Sequence, residues 1–264
     1  MARKRGIFLL IVLLLILIVL NYSFIDKILE NNFSAESGRE SVFVSRIIDG
    51  DTIELEDKSD VRLLGINSPE KGEQYYDEAK NFLKEKAENK TVFLEYGKDK
   101  TDLYNRTLAY IFINGENINL DLVKNGYANY YFPSGKDKYY PLFENAWEEC
   151  LNNKKNLCES SESVCAPCIT LKEINIESQE AIFYNDCRIN CTLKDWSVKD
   201  EGRKKYVFGN FMFRGRSEVI LKVSDGKNNI TNLFWESEEY VWTKTGDTLF
   251  LRDNKNKLVL WEKM

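Results

Sequence analysis

Histidine is absent from the 264 residues. That excludes histidine general bases, Ser-His-Asp and Cys-His constellations and HExxH zinc sites, so hydrolytic chemistry in this chain must run on carboxylates, Arg, Lys, Tyr, Ser or Cys. An excess of positive charge is also missing. Lys and Arg number 37 against 42 Asp and Glu, a net charge of −5, so overall charge does not advertise nucleic-acid binding. Internal repeats are lacking. With 43% hydrophobic and 30% charged residues, the composition excludes a disordered chain. The length exceeds what one core usually needs, and two domains plus extras is the expectation.

Long apolar runs are absent with a single exception at the amino terminus. Met1–Gly6 reads MARKRG, and Ile7–Leu20 is an uninterrupted apolar stretch that Asn21–Ile25 extends weakly. Nineteen residues at 1.5 Å each span roughly 28 Å, about one hydrocarbon thickness. Residues 1–25 therefore read as a transmembrane signal anchor. The flanking cations stay cytoplasmic and the remainder is exported, which places the folded domains outside the cell on a single-pass membrane protein. Secretion after cleavage of a signal peptide is the competing reading, against which no small-x-small cleavage pattern follows the run.

Residues 26–41 read as a polar tether. Residues 42–157 form a first unit, with strands expected at Val42–Ile48, Thr52–Glu56, Asp60–Ile66, Thr91–Tyr96 and Arg106–Ile113. Helices are expected at Gln74–Glu88, Leu120–Asn125 and Pro141–Lys154. Five short β-branched runs separated by turn residues suit a small curved barrel. Cys158–Cys168 reads as a linker. Residues 169–264 carry short aromatic and β-branched runs, among them Leu193–Val198, Lys205–Phe208, Val219–Val223, Leu233–Trp235 and Asp247–Arg252. No helical stretch is apparent there, which points to an all-β sandwich.

Three clusters in the first unit carry chemistry. Asp49-Gly50-Asp51-Thr52 is a tight turn that aims two carboxylates at one place. Arg62-Leu63-Leu64-Gly65-Ile66-Asn67-Ser68-Pro69-Glu70 is a strand that presents Arg62 and then hands over to a loop bearing Asn67 and Glu70. Thr101-Asp102-Leu103-Tyr104-Asn105-Arg106 is a turn that delivers a second arginine. Phosphodiester hydrolysis needs a base to activate water, cationic groups for the phosphate and a metal to take charge from it. Arginine forks and hard oxygen donors supply these, the latter favouring Ca²⁺ or Mg²⁺ over a transition metal.

In order and spacing the three clusters resemble the staphylococcal nuclease (thermonuclease) family, over roughly Val42 to Leu157. The resemblance implies a five-stranded OB-fold barrel with three helices. It also implies Ca²⁺-dependent endo- and exonucleolytic cleavage of DNA and RNA that leaves 3′-phosphates. It assigns Arg62, Glu70 and Arg106 as catalytic, and Asp51, Asn67 and the Ser68 carbonyl as metal ligands. Tyr104 corresponds to a phosphate-contacting tyrosine, and the run Tyr130-Tyr131-Phe132 falls where the family holds substrate-binding tyrosines. Asn67 stands where the best-known member has an aspartate, Asn105 where a glycine is usual and Leu103 where a lysine is. With one confident charged ligand, the resemblance predicts weak calcium binding that Asn67→Asp would tighten.

Ser41–Ser160 carries 16 cationic and 22 anionic side chains, a net charge of −6. Affinity must then come from local arginines, the metal and stacking on unpaired bases, which favours single-stranded substrates. In the second unit, Leu193–Asp200, Tyr206–Phe208, Trp235, Val241-Trp242 and Gly246–Leu249 resemble the lamin-tail family, which implies an immunoglobulin-like sandwich with a ligand the sequence does not name. Cys150, Cys158, Cys165, Cys168, Cys187 and Cys191 are disulfide candidates, with Cys150–Cys158 the expected short pairing; a Cys₄ zinc site from the other four is the alternative. Two functions follow: a Ca²⁺-dependent nuclease outside the cytoplasm, or a non-catalytic membrane-anchored protein that binds nucleic acid or the envelope.

Overall fold

The computed structural model describes residues 38–243 and 247–264. The expected anchor and most of the tether lie outside the described residues. Among those described, no helix is long and apolar enough to cross a membrane.

The first unit is built on β1 (Glu40–Ile47), β2 (Thr52–Leu55), β3 (Asp60–Leu63), β4 (Ile66–Asn67), α1 (Tyr76–Ala87), β5 (Thr91–Thr101), β6 (Thr107–Ile113), β7 (Glu116–Asn117), α2 (Ile118–Lys124), β8 (Asn129–Tyr130) and α3 (Tyr140–Asn153). β1 pairs antiparallel with β2 and β5, β2 with β3 and β5 with β6. Parallel pairing of β3 with β6 closes these five strands into a barrel, the expected OB-type arrangement. Val44, Ile53, Val61, Val92 and Ile111 point into it without exposure. Asn114 and Gly115 both take positive φ, 52° and 81°, the geometry that a two-residue hairpin between β6 and β7 requires. The expected strand Asp60–Ile66 is broken at Leu64-Gly65. Gly65 has φ 75°, and a Cβ there would meet the Phe143 ring at 3.0 Å, so the chain turns under α3 and resumes as β4.

The second unit contains β9 (Ile169–Asn175), β10 (Glu180–Asn185), β11 (Cys191–Thr192), β12 (Ser197–Lys199), β13 (Lys205–Val207), β14 (Met212–Phe213), β15 (Glu218–Lys222), β16 (Asn232–Phe234), β17 (Thr248–Arg252) and β18 (Leu258–Lys263). Two four-stranded sheets, ordered β16-β15-β10-β9 and β13-β12-β17-β18, enclose one core with Trp196, Phe208, Phe213, Trp235 and Trp242. Disulfides join Cys150 to Cys158, Cys165 to Cys191 and Cys168 to Cys187. The four cysteines that could have formed a zinc site are bonded crosswise, leaving no thiolate there for a metal.

The segment read as a linker is pinned. Leu258 N–H donates to the Glu159 carbonyl at 2.8 Å, and Ser161 N–H donates to that of Leu258 at 2.7 Å. Phe250, Leu258 and Trp261 join the core of the first unit, with the Phe250 and Trp261 rings 5.6 and 6.4 Å from Trp147. Buried Arg252 donates to the Leu157 carbonyl at 2.7 Å. The two units thus share an apolar seam that composition alone divides.

Carboxylates crowd one edge of this seam. Burial, then the charge of Asp247, pushes Asp200 and Glu201 up to about 7, and burial also raises Asp247. Glu73 and Glu95 lie below their usual value: burial opposes this, but Lys199 at Glu73, and Lys138 and Tyr139 at Glu95, outweigh it. Groups with raised folded values contribute stability that is present below their unfolded values near 4 and lost as pH rises through about 7. Depressed groups contribute stability lost at lower pH. The thermal midpoint in chelator is therefore expected to rise as pH falls from about 8 to about 5.5 and to drop below about 4. Asp200→Asn should flatten the upper limb. A midpoint that is constant between pH 8 and 5.5, measured by circular dichroism, would contradict this account.

Candidate active site

The turn between β1 and β2 is shaped by Asp49 and Gly50. The Asp49 Oδ1 accepts from the Asp51 N–H at 3.1 Å. A Cβ at Gly50 would lie 2.8 Å from the Cβ atoms of Ala79 and Ser68, so a glycine lets this turn press against both α1 and the loop after β4. Asp51 is directed inward, 5% exposed. Its Oδ2 accepts from the Ser68 N–H at 2.8 Å and faces Arg62 Nη2 at 3.0 Å. Thr52 donates to Oδ1 at 3.1 Å.

Arg62 is buried on β3. Besides Asp51, it donates to the carbonyls of Leu63 at 2.6 Å and Ile66 at 2.9 Å, and to Asn67 Oδ1 at 3.4 Å. These bonds fold the chain after Gly65 back over the guanidinium. Glu70 follows in the loop and is half exposed, open to water. The first two sequence clusters therefore meet in one place, with Asp51, Arg62, Asn67 and Ser68 in mutual contact and Glu70 two residues beyond Ser68.

Register brings in the third cluster. Val61 pairs with Thr107, so Arg106 stands beside the start of β3. Asp102 holds it with one oxygen on its backbone N–H at 2.9 Å and the other on Nε and Nη2 at 2.8 and 2.7 Å. Asn105 takes φ 61°, the left-handed conformation that asparagine tolerates better than most residues. Tyr104 and Leu103 are exposed, and the Tyr104 ring lies 5.5 Å from the Arg106 guanidinium.

The aromatic run is placed differently from Tyr104. β8 pairs with β4 (Ile66 with Tyr130, Asn67 with Asn129), and Tyr131 N–H donates to the Gly65 carbonyl. Tyr130 is buried against Tyr140 and Trp147, and Phe132 packs on Tyr140 and Phe143. Tyr131 is half-buried beside the acidic edge, with burial and then Asp200 and Glu201 raising its pKa. The backbone of this run supports the Arg62–Asn67 loop, whereas Tyr130 faces the core and not the arginines.

A cation between the Asp49 and Asp51 carboxylates would meet hard oxygen donors, with Asn67 Oδ1 and the Ser68 carbonyl the neutral oxygens of the adjoining loop. Burial and the Asp51 charge raise the Asp49 pKa, so two carboxylates share a restricted space that a hard cation would relieve. Among the described residues no group of three or more His, Cys, Asp or Glu side chains could hold a metal. The donor set fits calcium, held by few charges.

Residues from the second unit also reach this place. Asn67 Nδ2 donates to the Gly202 carbonyl at 2.8 Å, Asn129 Nδ2 donates to that of Glu201 at 2.8 Å, and Arg203 Nε lies 2.8 Å from Glu70 Oε1. Sequence reasoning misses these because no spacing links residue 67 to residue 202. The sequence marks Asp200–Gly202 as a turn and Lys205–Phe208 as a strand, and no motif singles out Arg203 between them.

Residues 60–160 match the family described as Staphylococcal nuclease homologue. The chain is 40% identical over 129 residues to the thermonuclease of Staphylococcus intermedius, an alignment covering 46% of this chain and 77% of that protein. Identity to the thermonuclease of Staphylococcus hyicus is 36% over 123 residues, 43% of this chain and 73% of the relative. An uncharacterized endonuclease of Haemophilus influenzae is 37% identical over 102 residues, 37% of this chain and 56% of the relative. With its barrel closed around Asp51 and Arg62, and with most of two thermonucleases matched, the chain belongs to the staphylococcal nuclease family.

Proposed function

We propose that the protein is a Ca²⁺-dependent nuclease that hydrolyses phosphodiester bonds of nucleic acid outside the cytoplasm. The observation that carries this reading is the convergence of Asp51, Arg62, Ser68 and Glu70 in one place, with Arg106 immediately before the neighbouring strand β6. In it, Glu70 takes a proton from the attacking water. Its half-exposed carboxylate is open to that water, unlike the enclosed Asp51. Arg62 and Arg106 direct N–H groups at the phosphate oxygens that gain charge in the transition state. Asp51 and Asp102 hold the two guanidiniums, so little orientation is lost during the reaction.

Calcium bound by Asp49, Asp51, Asn67 and the Ser68 carbonyl would add positive charge beside the phosphate. The exposed Tyr104 ring beside Arg106 offers a face for an unpaired base, and the barrel is acidic, which supports a single-stranded or frayed substrate bound with low affinity. The second unit is proposed to be a lamin-tail-like sandwich, on the basis of its two sheets and tryptophan-rich core. The amino-terminal run is proposed to anchor the chain in the cell membrane.

The full chain in detergent is expected to cleave labelled single-stranded DNA with Ca²⁺ and not in EDTA. Glu70→Gln should fold normally and lose about 10²–10⁴-fold in kcat. Cleavage by this variant within a few-fold of wild type would exclude Glu70 as the base.

Asn67→Asp sets two effects against each other. It adds a charged oxygen for the cation and removes the donor to the Gly202 carbonyl. In EDTA the variant should be less stable by about 1–3 kcal/mol, the cost of a buried unsatisfied acceptor. Saturating Ca²⁺ should raise its thermal midpoint more than that of the wild type. Equal midpoints in EDTA would show that the contact contributes nothing.

On intact cells, added protease should reach residues beyond Ser41 while Met1–Gly6 stays protected. Protection of both sides would rule out the exported orientation.

A further inference from the structure

The turn between β12 and β13 lies against the loop that carries Glu70, and its backbone is fixed there. Asn67 and Asn129 side-chain amides donate to the carbonyls of Gly202 and Glu201, each at 2.8 Å. Lys199 holds Glu73 at 3.1 Å. From this anchored turn Arg203 extends to Glu70, Nε to Oε1 at 2.8 Å, with the two side chains 59% and 49% exposed. We propose that Arg203 is a substrate-binding residue of the nuclease site, supplied by the second unit, and that its guanidinium holds a phosphate of the nucleic-acid strand adjacent to the one cleaved. The inference rests on reading Glu70 as the water-activating carboxylate.

A phosphate-binding arginine needs an anchored backbone and an accessible fork: the turn is anchored, and the Arg203 guanidinium, though paired to Glu70 through Nε, is 59% exposed. A half-exposed ion pair is weak, so exchanging Glu70 for a phosphate loses little. The same weakness argues against a lock on Glu70, which would require burial of the pair. The neighbouring cations are engaged elsewhere: Lys199 and Lys205 with Glu73, and Lys204 with the Tyr240 carbonyl. On the barrel side, the position before Tyr104 is the exposed, uncharged Leu103, and the barrel is net acidic. Arg203 therefore adds positive charge beside Glu70 on a barrel that is net acidic. Asn67 fits this role. An amide can donate to the Gly202 carbonyl, whereas a carboxylate would be repelled by it and would push the turn away.

The test compares the full-length wild type in detergent with Arg203→Ala and Arg203→Lys. Binding of a fluorescent single-stranded oligonucleotide is read by anisotropy in EDTA across a salt series. Cleavage with Ca²⁺ is read as separate KM and kcat, on the oligonucleotide and on a dinucleotide containing only the scissile phosphate. Arg203→Ala is expected to weaken oligonucleotide binding about 5–10-fold and to make the salt slope shallower by about one. Its KM on the oligonucleotide should rise with kcat within about threefold, and the rise should be smaller on the dinucleotide, which lacks the adjacent phosphate. Arg203→Lys, which keeps the charge and loses the fork, should fall between, and it carries the comparison if the alanine variant folds poorly. Unchanged affinity and salt slope would overturn the proposal. A higher kcat in Arg203→Ala would also overturn it and make Arg203 a mask over Glu70. A wild type that binds through Arg203 yet cleaves nothing would fail the nuclease reading and not this contact; normal wild-type cleavage with an unaffected alanine variant would fail this contact alone.

Discussion

A buried ion pair, Asp51 with Arg62, organises this molecule. Its two charges are nearly removed from water, so each must be satisfied completely or the site collapses. Satisfaction comes from the chain itself. Ser68 N–H and the Thr52 hydroxyl serve Asp51, and the carbonyls of Leu63 and Ile66 serve Arg62. Those bonds fix the loop after β4, and the position of Glu70 follows. The pair ties the β1–β2 turn to β3, the strand whose parallel pairing with β6 closes the barrel. Fold closure and the placement of charged groups are therefore one set of contacts. Removing either partner would leave the other buried and uncompensated, which is among the costlier changes a domain can suffer.

Much of the barrel was legible because its signals are local. β-branched runs alternate with turn residues, α1 buries Ala79, Leu83 and Ala87 at helical spacing, and the Asn114-Gly115 hairpin follows from two residues that accept positive φ. The Cys150–Cys158 pairing was legible for a similar reason, since both cysteines flank the end of one helix. What misled was equally physical. The Asp60–Ile66 run reads as one strand, but Gly65 takes positive φ beneath the Phe143 ring and breaks it. Pairing of β8 with β4 could not be read from two-residue strands. That pairing turns Tyr130, by sequence a candidate for binding substrate, into a core residue.

The seam between the units was illegible for a different reason. Asn67 is read from sequence as a ligand position in which an amide has replaced a carboxylate. Its Nδ2 partner lies on the far unit, and a hydrogen bond over so long a separation leaves no periodicity or spacing behind. The same holds for Arg203 and Glu70. Composition divides the chain at the cysteine-rich stretch near Cys158–Cys168. The apolar atoms of Phe250, Leu258 and Trp261 ignore that division and complete the first core.

Trp147 on α3 is fully buried, yet its ring neighbours Phe250 and Trp261 stand close to the carboxyl terminus. During synthesis the barrel strands and α3 are complete about one hundred residues before those neighbours emerge. A ribosome adding roughly 5–20 residues each second leaves the indole uncovered for several seconds. Throughout that interval the nascent barrel presents an aromatic patch to any sticky surface nearby. Premature termination between α3 and β17 would make that exposure permanent. Strands β17 and β18 thus act as a lid on the first core, closed long after the residues beneath it are made.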